Sequence, residues 1–342
     1  MRWYVDGLCR FLLACGIVTL GLTGQAGAVI VTLEASQDNT LYENSEGALS
    51  NGVGQHVFAG RNGAGGGQLR MRGLIMFDVA SRIPPGATIN SIELGLHAST
   101  PMSHAGTVAL HPVLSPWGEG LSNATMGEAG GAMSTTDDAT WIHTYFNTLF
   151  WNTPGGDFRP EASANLAVAT NGPQVIGSTP ELVADVQGWL DDPGSNNGWL
   201  LRQVDEAALA IRFDSRDHAD PSVRPRLTVD FSLPPLLISP PSGIFALTQV
   251  MDVVLFVNLP PERTITGAMA FLDDVDVSAD YGLCFLSSTG TLTEGGQTFR
   301  CPNRSAAAIG AGPHTLRVVL NLDDGTFLEQ AVNWIILPNT EP

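Results

Sequence analysis

Arg212, Asp214 and Arg216 recur at every second position, so on an extended chain they share one face, opposite Leu209, Ile211 and Phe213. A row of guanidinium groups can grip a carboxylate through paired N–H···O bonds, whether the carboxylate belongs to a neighbouring strand or to an acidic sugar. Arg226, Thr228 and Asp230 make a second polar row. If the two strands lie side by side, Arg–carboxylate pairs cross the sheet. Trp117 and Glu119 offer another combination: an indole to stack on a sugar ring and a carboxylate to accept from its hydroxyls. A buried indole beside a loop-fixing Glu fits the same residues. Trp141 and Trp151, with Tyr145, Phe146 and Phe150, add aromatic surface nearby.

Signatures of covalent or phosphoryl chemistry are missing. There is no G-x-S-x-G, no H-E-x-x-H, no P-loop and no dinucleotide-binding glycine pattern, and Gly63-Ala64-Gly65-Gly66-Gly67 lacks the lysine of a phosphate cradle. Glycoside hydrolysis needs two carboxyl groups roughly 5–9.5 Å apart in a cleft. Glu119, Glu128, Asp137 and Asp138 are the candidates, and a sandwich without a cleft excludes them. His97, His104 and His111 recur every seven residues, but across strand, loop and strand, and zinc needs a third protein ligand. The Asp274–Asp280 segment has Ala279 and Phe285 where a helix–loop–helix calcium loop requires Gly and Glu.

The chain has 342 residues and a formal net charge of −18, with no lysine among its 16 cationic residues. That charge argues against nucleic acid and anionic membranes as partners, since neither releases counterions to an acidic surface. Neutral glycans, divalent cations and plain solubility remain compatible with it. Arg2 and Arg10 flank a short basic region, Phe11 to Thr23 is apolar, and Ala26-Gly27-Ala28 fits an A-x-A cleavage site. The apolar run is shorter than the ~20 residues a membrane span needs. Residues 1–28 are therefore expected to be a signal peptide cleaved after Ala28, leaving a secreted protein without a membrane anchor. Export also makes a disulfide between Cys284 and Cys301 the simplest use of the two remaining cysteines.

The elements that must position these groups are mostly strands. Val29–Leu33, Gln55–Ala59, Leu74–Val79, Ser91–Ala98, Thr107–Leu114, Trp199–Arg202, Ala208–Phe213 and Arg226–Phe231 read as strands, Leu74–Val79 as a central one because both its faces are apolar. One helix is expected after Thr179, with Pro180 in its first turn and Leu182, Val183, Val186, Trp189 and Leu190 in one stripe. The texture changes at Leu233-Pro234-Pro235, which divides residues 29–233 from 234–342. The second unit, with five further strands and one internal cysteine pair, looks like an immunoglobulin-like β-sandwich.

Six segments carry a resemblance. In order they are Asp38-Asn39-Thr40-Leu41-Tyr42-Glu43, Arg72-Gly73-Leu74-Ile75-Met76-Phe77-Asp78-Val79, Trp117-Gly118-Glu119, Asp185-Val186-Gln187-Gly188-Trp189-Leu190, Phe213-Asp214-Ser215-Arg216-Asp217 and Pro225-Arg226-Leu227-Thr228-Val229. Their order and spacing resemble the DNRLRE domain family of bacterial and archaeal surface proteins, which is similar to jelly-roll carbohydrate-binding modules. The resemblance implies an all-β chain whose first unit is a jelly-roll β-sandwich with one short helix, and residues 118–178 are a long insertion relative to the shortest relatives. It also implies a structural calcium near the first strands, for which Asp38, Asn39 and Glu43 are hard oxygen donors; a turn closed by Asp38 and Asn39 is the alternative. Alginate-type binding among similar modules gives the arginines a uronate to read. The function expected is non-catalytic binding of polysaccharide or support of cell-surface adhesion. A structural envelope or matrix spacer is the alternative, with a polysaccharide-degrading enzyme as a third reading.

Overall fold

The computed structural model describes residues 28–99, 105–125, 127–259, 263–281, 291–293 and 296–338. The expected leader apart from Ala28, together with His104 and Cys284, lies outside the described residues.

The first unit is built from β1 (Ala28–Glu34), β2 (Gln37–Tyr42), β3 (Leu49–Ser50), β4 (His56–Arg61), β5 (Arg70–Met76), β6 (Thr88–Ala98), β7 (Gly106–Pro112), β8 (Ala132–Met133), β9 (His143–Tyr145), β10 (Leu149–Phe150), β11 (Ala164–Val168), β12 (Gly172–Ile176), β13 (Trp199–Gln203), β14 (Ile211–Asp214) and β15 (Arg226–Ser232). One antiparallel sheet contains β1, β15, β6, β12, β14 and β4; the other contains β2, β5, β13, β7 and β11. β4 belongs to both. Its first residues pair with β14, and then Gly60 and Arg61 pair with β5. The change of sheet happens at Gly60, where φ is +123° and a Cβ would come within 2.7 Å of Ala210 Cα. Only glycine tolerates both conditions.

Alternation fixes which side chains face inward. Leu94, Leu96 and Ala98 of β6 meet Leu227, Val229 and Phe231 of β15 in a core that also takes in Phe77, Trp199 and Phe213. Ile89 and Ile92 both reach this core although they are three apart, because the register with β15 shifts between Ser91 and Ile89. A bulge of that kind resets the alternation. β5 is buried through its middle and lies between β2 and β13, the central position its two apolar faces predict.

The helix α1 (Pro180–Asp191) forms where the capping pattern places it, with the Leu182 N–H donating to Thr179 Oγ1 at 3.0 Å. Leu182, Val186, Trp189 and Leu190 bury its stripe, and Gln187 Oε1 accepts the Ile89 N–H of β6 at 2.9 Å. Its Asp185 is also buried, accepting from Trp199 Nε1 at 2.9 Å.

The second unit packs β16 (Leu236–Ser239), β18 (Val250–Val257), β21 (Thr291–Thr293) and β22 (Gly296–Ser305) against β17 (Gly243–Ala246), β19 (Ile265–Leu272), β20 (Val275–Asp276), β23 (Gly312–Leu322) and β24 (Phe327–Leu337). β17 runs parallel to β24; the remaining described pairs in both sheets are antiparallel. Val253, Leu255, Cys301, Leu316, Val318 and Trp334 fill the space between the sheets. The chain is thus all-β: a jelly-roll β-sandwich with one short helix, followed by an immunoglobulin-like β-sandwich. Among the described residues no helix is long and apolar enough to cross a membrane.

Candidate functional site

Asp38 and Asn39 do not close a turn. They lie in β2, paired with Ile75 and Leu74 of β5, and are fully buried. Polar residues are tolerated there because their hydrogen bonds are made inside the protein. Asn39 Oδ1 accepts from the N–H of Thr40 (2.6 Å), Ser50 Oγ (2.9 Å) and the N–H of Asn51 (3.0 Å), while its Nδ2 donates to the Glu119 carbonyl at 2.9 Å. This amide is a clamp between β2 and the segment carrying Trp117-Gly118-Glu119, not a metal donor.

Glu43 leaves the expected calcium set as well. It is five residues from Asp38 along an extended chain, about 16 Å away at ~3.3 Å per residue. Its carboxylate takes Arg70 Nε at 2.9 Å and Arg70 Nη2 at 2.5 Å. That bidentate contact holds the Glu43 carboxyl below the usual glutamate range.

Other oxygens gather around Asp38. The loop after β14 turns back so that the Arg216 N–H donates to Asp38 Oδ2 at 2.6 Å, and the Asp38 N–H donates to Glu119 Oε1 at 2.8 Å. Arg216 Nη1 then bridges Glu119 Oε2 at 2.9 Å and Asp217 Oδ2 at 3.6 Å. One oxygen from each of Asp38, Glu119 and Asp217 lies within 4.8 Å of the others. Asp38 Oδ1 and Asp217 Oδ2 are buried without a hydrogen-bond partner. Burial pushes the Asp38 carboxyl well above the ordinary aspartate value, with Glu119 and Asp217 adding repulsion. Burial likewise raises Glu119.

The first residue of DNTLYE, the last of Trp117-Gly118-Glu119 and the last two of Phe213-Asp214-Ser215-Arg216-Asp217 therefore meet at one point. The metal and ligand sets expected from the sequence converge on it in part, through Asp38, Glu119 and Arg216. Asp217 was not singled out. β14 ends at Asp214, so the every-second-residue pattern that grouped Arg212, Asp214 and Arg216 does not hold beyond it.

The other members of that row go elsewhere. Arg212 Nε donates to Ser99 O at 3.0 Å and Ser99 Oγ at 3.2 Å. Asp214 is buried among His56, His97 and His218. β14 and β15 each pair with β6 and not with one another, so the Arg–carboxylate ladder between them does not form. Asp230 takes Asn90 Nδ2 instead.

The three tryptophans expected to stack on sugar are interior. Trp117, Trp141 and Trp151 are 3, 6 and 5% exposed and share a core with Leu41, Leu74 and Leu200 beneath the insertion. Trp117 Nε1 donates to the Asn197 carbonyl at 2.9 Å and Trp151 Nε1 to the Thr140 carbonyl at 2.8 Å. Trp141 lies under the Arg72 guanidinium, 4.9 Å from the ring centre. Burial of that much apolar area outweighs any gain from leaving the rings in water. The exposed ring is Phe150, 64% accessible on the β9–β10 hairpin and tilted against His143 at 4.6 Å. Tyr145 and Phe146 of the same hairpin are half-buried. Tyr145 abuts Gly118, where a Cβ would come within 2.8 Å of its ring, so the hairpin is seated directly beside the Glu119 segment.

Of the remaining candidate acids Asp137 is exposed, while Asp138 and Glu128 accept hydrogen bonds inside the protein. Asp138 accepts from Ser122 Oγ at 2.9 Å and from the Thr135 N–H at 2.5 Å, and burial raises its carboxyl. Glu128 accepts from Asn51 Nδ2 at 3.0 Å and the His56 N–H at 2.9 Å. Burial pushes Glu128 up, but the hydrogen bonds from His56, Asn51 and Gln55 outweigh it and bring the carboxyl below the usual range.

No known family matches this chain, and no curated protein does. Among solved structures it is similar to the fibronectin(III)-like modules of Clostridium thermocellum CbhA, at 13% identity over 30% of this chain and 94% of that one, with a TM-score of 0.19. A DUF4785 family protein from Legionella pneumophila aligns at 8% identity over 92% of this chain and 65% of that one, with a TM-score of 0.18.

Proposed function

We propose that this chain is an exported, non-catalytic module whose first sandwich binds an extended polysaccharide with the help of calcium. The observation that carries the reading is the Asp38–Glu119–Arg216–Asp217 cluster, two of whose buried oxygens make no hydrogen bond, seated beside a hairpin that presents Phe150 to solvent. Three carboxylates face one guanidinium there, so full ionisation leaves an excess of negative charge in a poorly solvated place. Asp38, Glu119 and Asp217 suit Ca2+, a hard ion that takes oxygen ligands and completes its shell with carbonyls and water. When bound, the ion supplies positive charge that neutralises the cluster and attracts sugar carboxylates or hydroxyls.

Arg216, a third exposed, supplies a fixed cation for an acidic sugar, and Phe150 with Tyr145 supplies ring faces for stacking. The commitment of Glu119, Glu128 and Asp138 to backbone amides and neighbouring side chains supports a binding role over hydrolysis. Affinity electrophoresis of the exported chain through gels containing alginate, pectin, xylan, chitin or cellulose, with and without Ca2+, tests the proposal. Calcium-dependent retardation by an acidic glycan is expected. Migration unchanged in every gel favours a structural spacer, and depolymerisation of the gel polysaccharide an enzyme.

A further inference from the structure

Next to Asp217 in sequence, His218 joins Asp214 at the end of β14 and His56 at the start of β4 in a second group of donors with different chemistry. His56 Nε2 and His218 Nε2 lie 3.5 and 3.9 Å from Asp214 Oδ1, and the three donor atoms fall within 4.8 Å of one another. We propose that His56, Asp214 and His218 form a binding site for a zinc-type divalent transition-metal ion. Two imidazoles and one carboxylate are a borderline donor set that suits zinc and its first-row neighbours and is poorly suited to calcium. Donors about 2.0–2.1 Å from a tetrahedral ion are ~3.4 Å apart, close to the two carboxylate–imidazole distances, and the ring nitrogens, no more than 4.8 Å apart, close on the ion by side-chain rotation.

Two further features point to an ion. Asp214 is 2% exposed, yet its Oδ1 has no hydrogen-bond partner and is aimed between the two rings. A buried carboxylate oxygen left unpaired is costly, and a cation is the partner that satisfies it best. The outer contacts are those that orient metal ligands. Asp214 Oδ2 is held by His97 Nδ1 at 2.7 Å, and His56 Nδ1, which makes no hydrogen bond of its own, lies 3.2 Å from Glu128 Oε2, near enough for that carboxylate to take up its proton when Nε2 ligates. The Asp220 N–H donates to His218 Nδ1 at 3.1 Å, and the Asp220 carbonyl lies 3.4 Å from the same nitrogen. Ligation through Nε2 places the proton on Nδ1 and exchanges the bond from the Asp220 N–H for one to the Asp220 carbonyl. The His218 side chain is 23% exposed, which opens the site to solvent and leaves room for water or an outside ligand at the fourth position.

The test uses the full exported chain without any histidine tag, stripped of metal and titrated with Zn2+ against a chromophoric chelator. One tight equivalent is expected. His218→Ala, on a half-exposed loop, should weaken it by more than the ~10–100-fold that loss of an outer hydrogen-bond partner costs, and His97→Gln should fall within that range. Co2+ added to the unaltered chain should give visible d–d bands that Zn2+ abolishes and Ca2+ leaves alone, an outcome independent of how the variants fold. Equal Zn2+ affinity in the unaltered chain and His218→Ala, absence of a tight equivalent, or displacement of Co2+ by Ca2+ would each overturn the proposal. Because its donors are separate from Asp38, Glu119 and Asp217, failure here leaves the calcium reading untouched.

Discussion

Asp38 and Glu119 are 81 residues apart in the chain, and the Asp38 N–H donates to Glu119 Oε1 at 2.8 Å. The contact joins β2, buried within its sheet, to the start of the long segment between β7 and β8. It brings two carboxyl groups together, so that whatever neutralises one affects the other. Arg216 completes the arrangement by giving its backbone N–H to Asp38 and its guanidinium to Glu119.

The pH behaviour of the cluster follows from its burial. Asp38 and Glu119 are raised by burial in the folded state, so the native chain holds their protons more tightly than the unfolded chain. Their contribution to stability is fully present below the ordinary carboxylate values, about 4, and is lost as pH rises through the higher folded values. In metal-free buffer Asp38→Asn should therefore gain thermal stability relative to the unaltered chain as pH rises from about 4 towards 8. Calcium should erase the gain. Melting curves at matched pH check this, and a difference independent of pH would contradict it.

Stability and binding should separate cleanly between two aromatic residues. Trp117→Ala empties a core position and loses the bond to Asn197, so it should cost about 3–5 kcal/mol in denaturant unfolding. Phe150→Ala removes an exposed ring and should leave the unfolding midpoint nearly unchanged while weakening polysaccharide retardation. The reverse pattern would return the tryptophans to the binding surface.

Arg72 is the cation whose loss should matter most to the fold. It is buried, donates to both Glu206 oxygens and to the Gly155 carbonyl at 2.7 Å, and lies between the Trp141 and Phe158 rings. Arg72→Ala should destabilise by about 3–5 kcal/mol, because it removes the packing between two rings and the bond to Gly155, and leaves Glu206 only its longer contacts to Arg202 at 3.4 Å and Arg70 at 3.9 Å. Arg72→Lys should recover little of this, since an ammonium reproduces neither the paired bonds nor the ring stacking. Urea unfolding of both variants measures it.

Cys301 lies fully buried in the second core. A disulfide from it to Cys284 closes a loop worth about 3 kcal/mol in the chain-entropy model. Peptide mapping of the purified chain without reductant should recover the two cysteines linked, and reduction should lower the stability of the second unit by that order. Recovery of both as free thiols would remove the crosslink.

The local elements were legible from the residues. Strand alternation, the Thr179 cap with Pro180 behind it and the apolar stripe of α1 act over spacings of two to four residues, where backbone geometry alone links sequence to structure. The two apolar faces of β5 likewise announced a strand covered on both sides. β2 was hidden because Asp38 and Asn39 are turn-forming residues whose partners come from far along the chain.

What the sequence determined by itself, then, was an all-β chain, the position of α1 and the short motifs from which a site could be built, while the single turn of helix at Ala306–Ile309 went unread. Only the tertiary structure decided which residues make the site. It buried Trp117, Trp141 and Trp151 against Leu41, Leu74 and Leu200, where the 118–178 segment packs on the strands. It paired Glu43 with Arg70 and drew Asp217 towards Asp38, and it set His56 and His218 on either side of Asp214. Each of these depends on which strands become neighbours, and that choice is made by burial summed over the whole sandwich, not by any spacing along the chain.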